Sequence, residues 1–139
     1  MAVEINLTYE GGLHCTAIHG PSRQTLTTDA PVDNGGKGAA FSPTDLVATA
    51  LGTCMATIMG LVAQRNNLNL DGLRIQVIKE MAATPVRRID ALKTRLVFPR
   101  GRPLSAADRA KLEAAAKACP VKQSLHPELH TPVEFVYPD

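Results

Sequence analysis

Residues 42–63, "SPTDLVATALGTCMATIMGLVA", decide how the rest of the chain is read. Ser42, then Pro43, then Asp45 three positions after the serine, is a helix opening. The hydroxyl can cap free backbone N–H groups, proline suits the first helical position, and the acid lies near the positive end of the helix dipole. The spacing predicts a helix running on to Asn66. From Leu46 to Ala63 it carries no charge, a length that also suits a membrane span. Two glycines and four threonines in residues 42–63 argue against that, as do the lack of a second such segment and of a flanking basic cluster. The expectation is no membrane and a helix buried all round. One small domain struggles to wrap such a helix, so a second copy of the chain is expected to cover the remaining face.

Outward from the helix, the N-terminal side holds three short strand candidates, 3–10, 13–20 and 22–30, separated by Gly11-Gly12 and Gly20-Pro21. They read as an antiparallel meander. "PVDNGGKGAAFSP" (31–43) combines turn residues without periodicity and reads as a loop. On the C-terminal side, Leu73, Ile75 and Val77 alternate with Arg74 and Gln76, and 88–98 forms a partner strand, giving a hairpin. A second helix over 105–119 opens at Ser105 and stops at Pro120, followed by a short helical turn and a last strand in "PVEFVY". Strands, helix, strands, helix is the order of an α+β fold, expected as a single domain over 1–139, a length sufficient for one core.

Charge excludes some partners. Fifteen basic and 13 acidic side chains are interspersed, with no aromatic residues alternating among the basic ones, so no nucleic acid is expected. The segment "MAVEINLTYE" lacks a basic run leading into an apolar one, so a cytoplasmic protein is expected. Three scattered cysteines, Cys15, Cys54 and Cys119, are too few for a disulfide scaffold; a pair among them is redox-active or incidental.

An α-helix turns by about 100° per residue. On that wheel Ala48, Gly52, Ala56 and Gly60 share one side, while Cys54 falls opposite, with Val47, Leu51, Ile58 and Leu61. Hydrocarbon there disfavours a thiolate, and about three turns from the helix start the dipole gives little help, so a reactive Cys54 needs a cation from elsewhere. Cys119 precedes Pro120 and is placed to cap a new helical turn, which nominates it as the more acidic thiol. For either cysteine taken singly, buried packing stays open as the alternative. Cys15 is read as structural. His126 and His130 with Cys119 are the one candidate metal set, but Pro127 disturbs the spacing and a fourth ligand is absent, so surface histidines are the expectation and no metal or cofactor is implied.

The helix with its mid-length cysteine, together with "CPVKQSLHPELHTPVEF" (119–135) and the Gly-rich "DNGGKGAAFSP" (33–43), resembles the family of osmotically inducible protein C and organic hydroperoxide resistance proteins. The resemblance implies an intertwined homodimer with antiparallel sheets packed around long central helices. It implies a thiol peroxidase that reduces alkyl or lipid hydroperoxides, with Cys54 peroxidatic and Cys119 resolving through a disulfide, recycled by a dithiol or lipoyl-type reductant. The family's thiolate-stabilising arginine falls near Leu13 or His14 here, and the glutamate that holds it falls at Thr44, beside Asp45. Asp45 is thus a candidate site carboxylate or a cap. Arg23, expected in the third strand, is the nearest alternative cation, and protonated His14 another. A non-enzymatic member that binds a small apolar ligand in the same pocket is the competing reading.

Overall fold

The computed structural model describes residues 1–139, which divide into two compact units, Met1–Val47 and Ala48–Asp139. In the first, strands β1 (Ile5–Tyr9), β2 (His14–His19) and β3 (Thr25–Asp29) form the expected antiparallel meander in the order β1-β2-β3. Alternation along β1 sends Ile5, Leu7 and Tyr9 to one face, where the register sets them beside Cys15, Ala17 and Leu26. That face is uncovered, with Leu7 68% exposed. The loop beyond β3 contains one 3₁₀ turn, Val32–Asn34, and folds back on the strand end. Gly38 N–H donates to Ala30 O at 3.2 Å, and a Cβ on Gly36 would stand 1.9 Å from the same oxygen, so only glycine fits there.

Helix α1 (Pro43–Arg65) opens as the sequence predicts, and the division between the units falls within it, after Val47. Ser42 Oγ accepts the Asp45 N–H at 3.1 Å, and Asp45 Oδ2 accepts the Ser42 N–H at 2.9 Å, a reciprocal capping box. Within this chain the helix is buried along one face rather than all round. Ala48, Leu51, Gly52, Met55, Met59 and Ala63 lie inside, while Thr49, Thr53 and Thr57 are exposed. Thr53 Oγ1 donates to Thr49 O and Thr57 Oγ1 to Thr53 O, both at 2.8 Å. α1 is long and apolar enough to cross a bilayer, but its buried stripe is a core face.

The second unit holds β4 (Arg74–Ala82), β5 (Arg88–Val97), α2 (Ala106–Lys117), α3 (Pro120–Ser124) and β6 (Val133–Val136). β4 and β5 form the predicted hairpin; β6 pairs with β5 in parallel, because the chain returns to the sheet through α2 and α3 instead of a tight turn. The fold is therefore α+β, antiparallel except at this last pair. The small-residue side of α1 serves β4: a Cβ on Gly52 would lie 2.8 Å from Val77 Cγ2 and 3.1 Å from Ile75 Cγ2. Leu51, Met55, Met59, Leu92, Leu96, Leu112 and Cys119 are fully buried, each large apolar side chain contributing roughly 1.5–3 kcal/mol relative to exposure.

Candidate functional site

Cys54 and Cys119 come together within the Ala48–Asp139 unit. Cys54 sits half-buried on α1, at the edge between the inward stripe and the threonine face. The hydrocarbon wall expected around it is split, with Leu51 in the core and Leu61 44% exposed, so the sulfur borders a surface instead of being enclosed. Cys119 caps α3 with extended backbone geometry and Pro120 at the first helical position, as the Cys-Pro pair predicts. Both thiols are free, and the Cys54 side chain lies near enough to push the Cys119 pKa up.

The expectation that the cap makes Cys119 an acidic thiol is corrected. Burial pushes its pKa up, because no solvent reaches the sulfur to stabilise a thiolate. The backbone N–H groups of Lys122 and Val121 pull the other way, but neither closes a cap hydrogen bond, and the nearby Cys54 side chain adds to the upward shift. The cap is real; its electrostatic benefit is outweighed by desolvation. Cys119 is therefore a protonated donor beside a more accessible sulfur.

Asp45 and Arg23 belong to the other unit, Met1–Val47. Asp45 is engaged in the capping box. Arg23 is not in a strand: it occupies the turn between β2 and β3 with φ +62°, exposed, its N–H bonded to His19 O at 2.8 Å. His14 opens β2 and pairs with Asp29, which ends β3; His14 Nδ1 lies 2.5 Å from Asp29 Oδ1, and its Nε2 is 3.7 Å from Glu10. The sequence reading missed Asp29, whose only local signal is an acid directly before a Pro- and Gly-rich turn. Its carboxylate is 4% exposed and also accepts the Ala39 N–H at 3.0 Å, tying the Gly-rich loop to the sheet.

The hydrogen bond from His14 holds the Asp29 carboxyl below its ordinary value, with burial opposing and the Ala39 N–H assisting. A depressed folded pKa means stability that is present above the unfolded value and lost as pH falls through the folded one. Asp29→Asn is expected to lower the urea midpoint near neutral pH and to lose less on going below about pH 4 than the wild type does. Equal acid sensitivity in both proteins would show that this pair does not carry it.

No group of three or more His, Cys, Asp or Glu side chains is arranged to hold a metal. His126 Nδ1 accepts the Glu128 N–H, and the His130 backbone bonds to Asp90 and Leu92.

Residues 35–134 match the family of OsmC-like proteins. No curated protein matches. Among solved structures, a protein from Psychrobacter arcticus proposed to act in the osmotic stress and detoxification response is 40% identical, with a TM-score of 0.88 over 94% of this chain and 93% of that one. An organic hydroperoxide resistance protein OsmC from Legionella pneumophila is 17% identical, with a TM-score of 0.77 over 98% and 97% of the two chains. OhrB of Bacillus subtilis, also named an organic hydroperoxide resistance protein, is 14% identical, with a TM-score of 0.68 over 97% and 98%. The last two likenesses are of fold.

Proposed function

The chain belongs to the OsmC-like protein family, and from that premise we propose that it is a thiol peroxidase for organic hydroperoxides. The observation that carries this reading is that the half-buried Cys54 and the buried Cys119 lie near enough for Cys54 to raise the Cys119 pKa. The Cys54 thiolate attacks the O–O bond of a hydroperoxide; the distal oxygen and its hydrogen stay on sulfur as a sulfenic acid, and the alkoxide leaves as the alcohol by taking a proton from solvent. Cys119 then attacks the sulfenic sulfur, forming a disulfide and releasing water. A dithiol, of the lipoyl type in related proteins, returns both sulfurs to thiols by exchange. The division of roles follows the environments: the accessible sulfur meets the substrate, and the buried one cannot compete for it. Leu61 and Ile58 beside Cys54 favour an alkyl or lipid peroxide over hydrogen peroxide. Asp45, Arg23 and His14 are candidates from the sequence resemblance alone; within the Met1–Val47 unit Asp45 serves the helix cap and His14 pairs with Asp29.

The uncovered apolar face of β1–β3 and the exposed side of α1 support a homodimer, since contiguous apolar surface on a small chain marks an interface. Three cysteines, too few and too scattered for a disulfide scaffold, suit a reducing cytoplasm. Adding stoichiometric cumene hydroperoxide to reduced protein and following intact mass tests the activity. The expected result is loss of the two thiol hydrogens as the peroxide disappears, with Cys54 joined to Cys119. If both thiols persist alongside the peroxide, the non-enzymatic reading, a binder of small apolar molecules, replaces this one.

A further inference from the structure

Returning a Cys54–Cys119 disulfide to two thiols involves a choice that the peroxide step does not. A reductant can attack either sulfur, and the other one then leaves. The two sulfurs are unequal. Cys54 is half-buried on α1, beside the exposed Thr53 and Thr57. Cys119 has no exposed surface; with Leu112 and Ala116 at helical spacing before it, it completes a fully buried stripe that starts on α2. The backbone N–H groups of Lys122 and Val121 favour negative charge on the Cys119 sulfur, although burial outweighs them in the reduced thiol.

Leaving-group chemistry and access point in opposite directions here. A thiol of raised pKa leaves more slowly, which by itself favours attack on Cys119 with Cys54 departing. Electronic preferences of this kind run to roughly threefold per pKa unit, on Brønsted slopes of about 0.4–0.5. Access is the larger effect, because a sulfur without surface reacts only in the fraction of molecules whose α2–α3 junction has opened. Resting on the peroxidase reading above, we propose that the reductant enters at Cys54 and that Cys119 is the leaving sulfur. One thiolate of a dithiol attacks the Cys54 sulfur, a bond forms between them, and the Cys54–Cys119 bond breaks with its electron pair on Cys119. The Lys122 and Val121 N–H groups receive that charge. Burial makes the Cys119 thiolate a strong base, and it takes the proton of the reductant's second thiol. The second thiolate then attacks the reductant's own sulfur, so that Cys54 departs as a thiolate and the reductant as a disulfide.

Diamide forms the disulfide in the wild-type protein without any peroxide, which separates the entry point from the activity it serves. The oxidised protein is mixed with 2-mercaptoethanol, a monothiol that leaves a traceable adduct, quenched over a time course with excess N-ethylmaleimide, and mapped by peptide mass. The expected pattern is the 2-mercaptoethanol adduct on Cys54 with maleimide on Cys119, exceeding the reverse by about tenfold or more because access outweighs leaving-group preference. The reverse pattern, an even division, or a disulfide that the monothiol does not open would each overturn the proposal. Adducts on Cys54 in a protein that leaves cumene hydroperoxide unconsumed would support the entry point and overturn the peroxidase reading alone. Failure of diamide to join Cys54 to Cys119 would overturn both.

Discussion

Cys54→Ser protein is expected to consume no cumene hydroperoxide, whereas Cys119→Ser protein takes up a single oxygen at Cys54 and stalls. The asymmetry follows from accessibility: Cys54 is half-buried at an edge and Cys119 has no exposed surface at all. Intact mass distinguishes the two, since the stalled form carries an added oxygen and the wild type a disulfide. A second signature comes from the raised pKa of Cys119. Below that pKa the attacking thiolate is scarce, falling about tenfold per pH unit, so disulfide formation in the wild type is expected to accelerate from about pH 7 to about pH 9. Quenched-flow mass measurements would show the rise. A flat profile would mean that Cys119 is already ionised and that burial does not govern it.

Gly36→Ala is expected to be the most damaging small substitution outside the core. The added carbon would stand 1.9 Å from the Ala30 backbone oxygen, and backbone on both sides leaves no flexible atom to yield. Forced relief of that overlap costs about 2–3 kcal/mol, read as a lowered urea midpoint with unchanged slope. The same loop receives the Asp29 carboxylate at Ala39 and delivers Ser42 to the start of α1. A displaced loop therefore also loosens the cap, which far-ultraviolet circular dichroism would register as fraying of the helix. A variant as stable as the wild type would show that the loop has a second, equally good path.

Much of this architecture was legible in residue order. The capping box at Ser42 and Asp45, the uncharged run behind it and the alternation from Leu73 to Val77 are local signals, and the elements stand where those signals put them. The direction of β6 was not legible, because pairing depends on where α2 and α3 return the chain. The Cys119 cap could be read from the following proline, but its burial could not: desolvation is set by Leu112, Ala116 and the sheet, which are brought together only in three dimensions. Arg23 shows a similar limit. A left-handed turn residue with a β-like neighbourhood looks like strand from sequence alone. Asp29 was overlooked because its importance lies in two partners, His14 and Ala39, that no periodicity connects.

The threonines on the outer side of α1 are counted as polar in any reading by composition. Thr53 and Thr57 nevertheless direct their hydroxyls back onto carbonyls of their own helix. Each hydroxyl is thereby withdrawn from the surface, and what remains pointing outward is a methyl group. To an approaching neighbour this side of the helix behaves as a dry, ridged strip of hydrocarbon with Cys54 along its border, and a threonine there is closer in effect to a valine than its formula suggests.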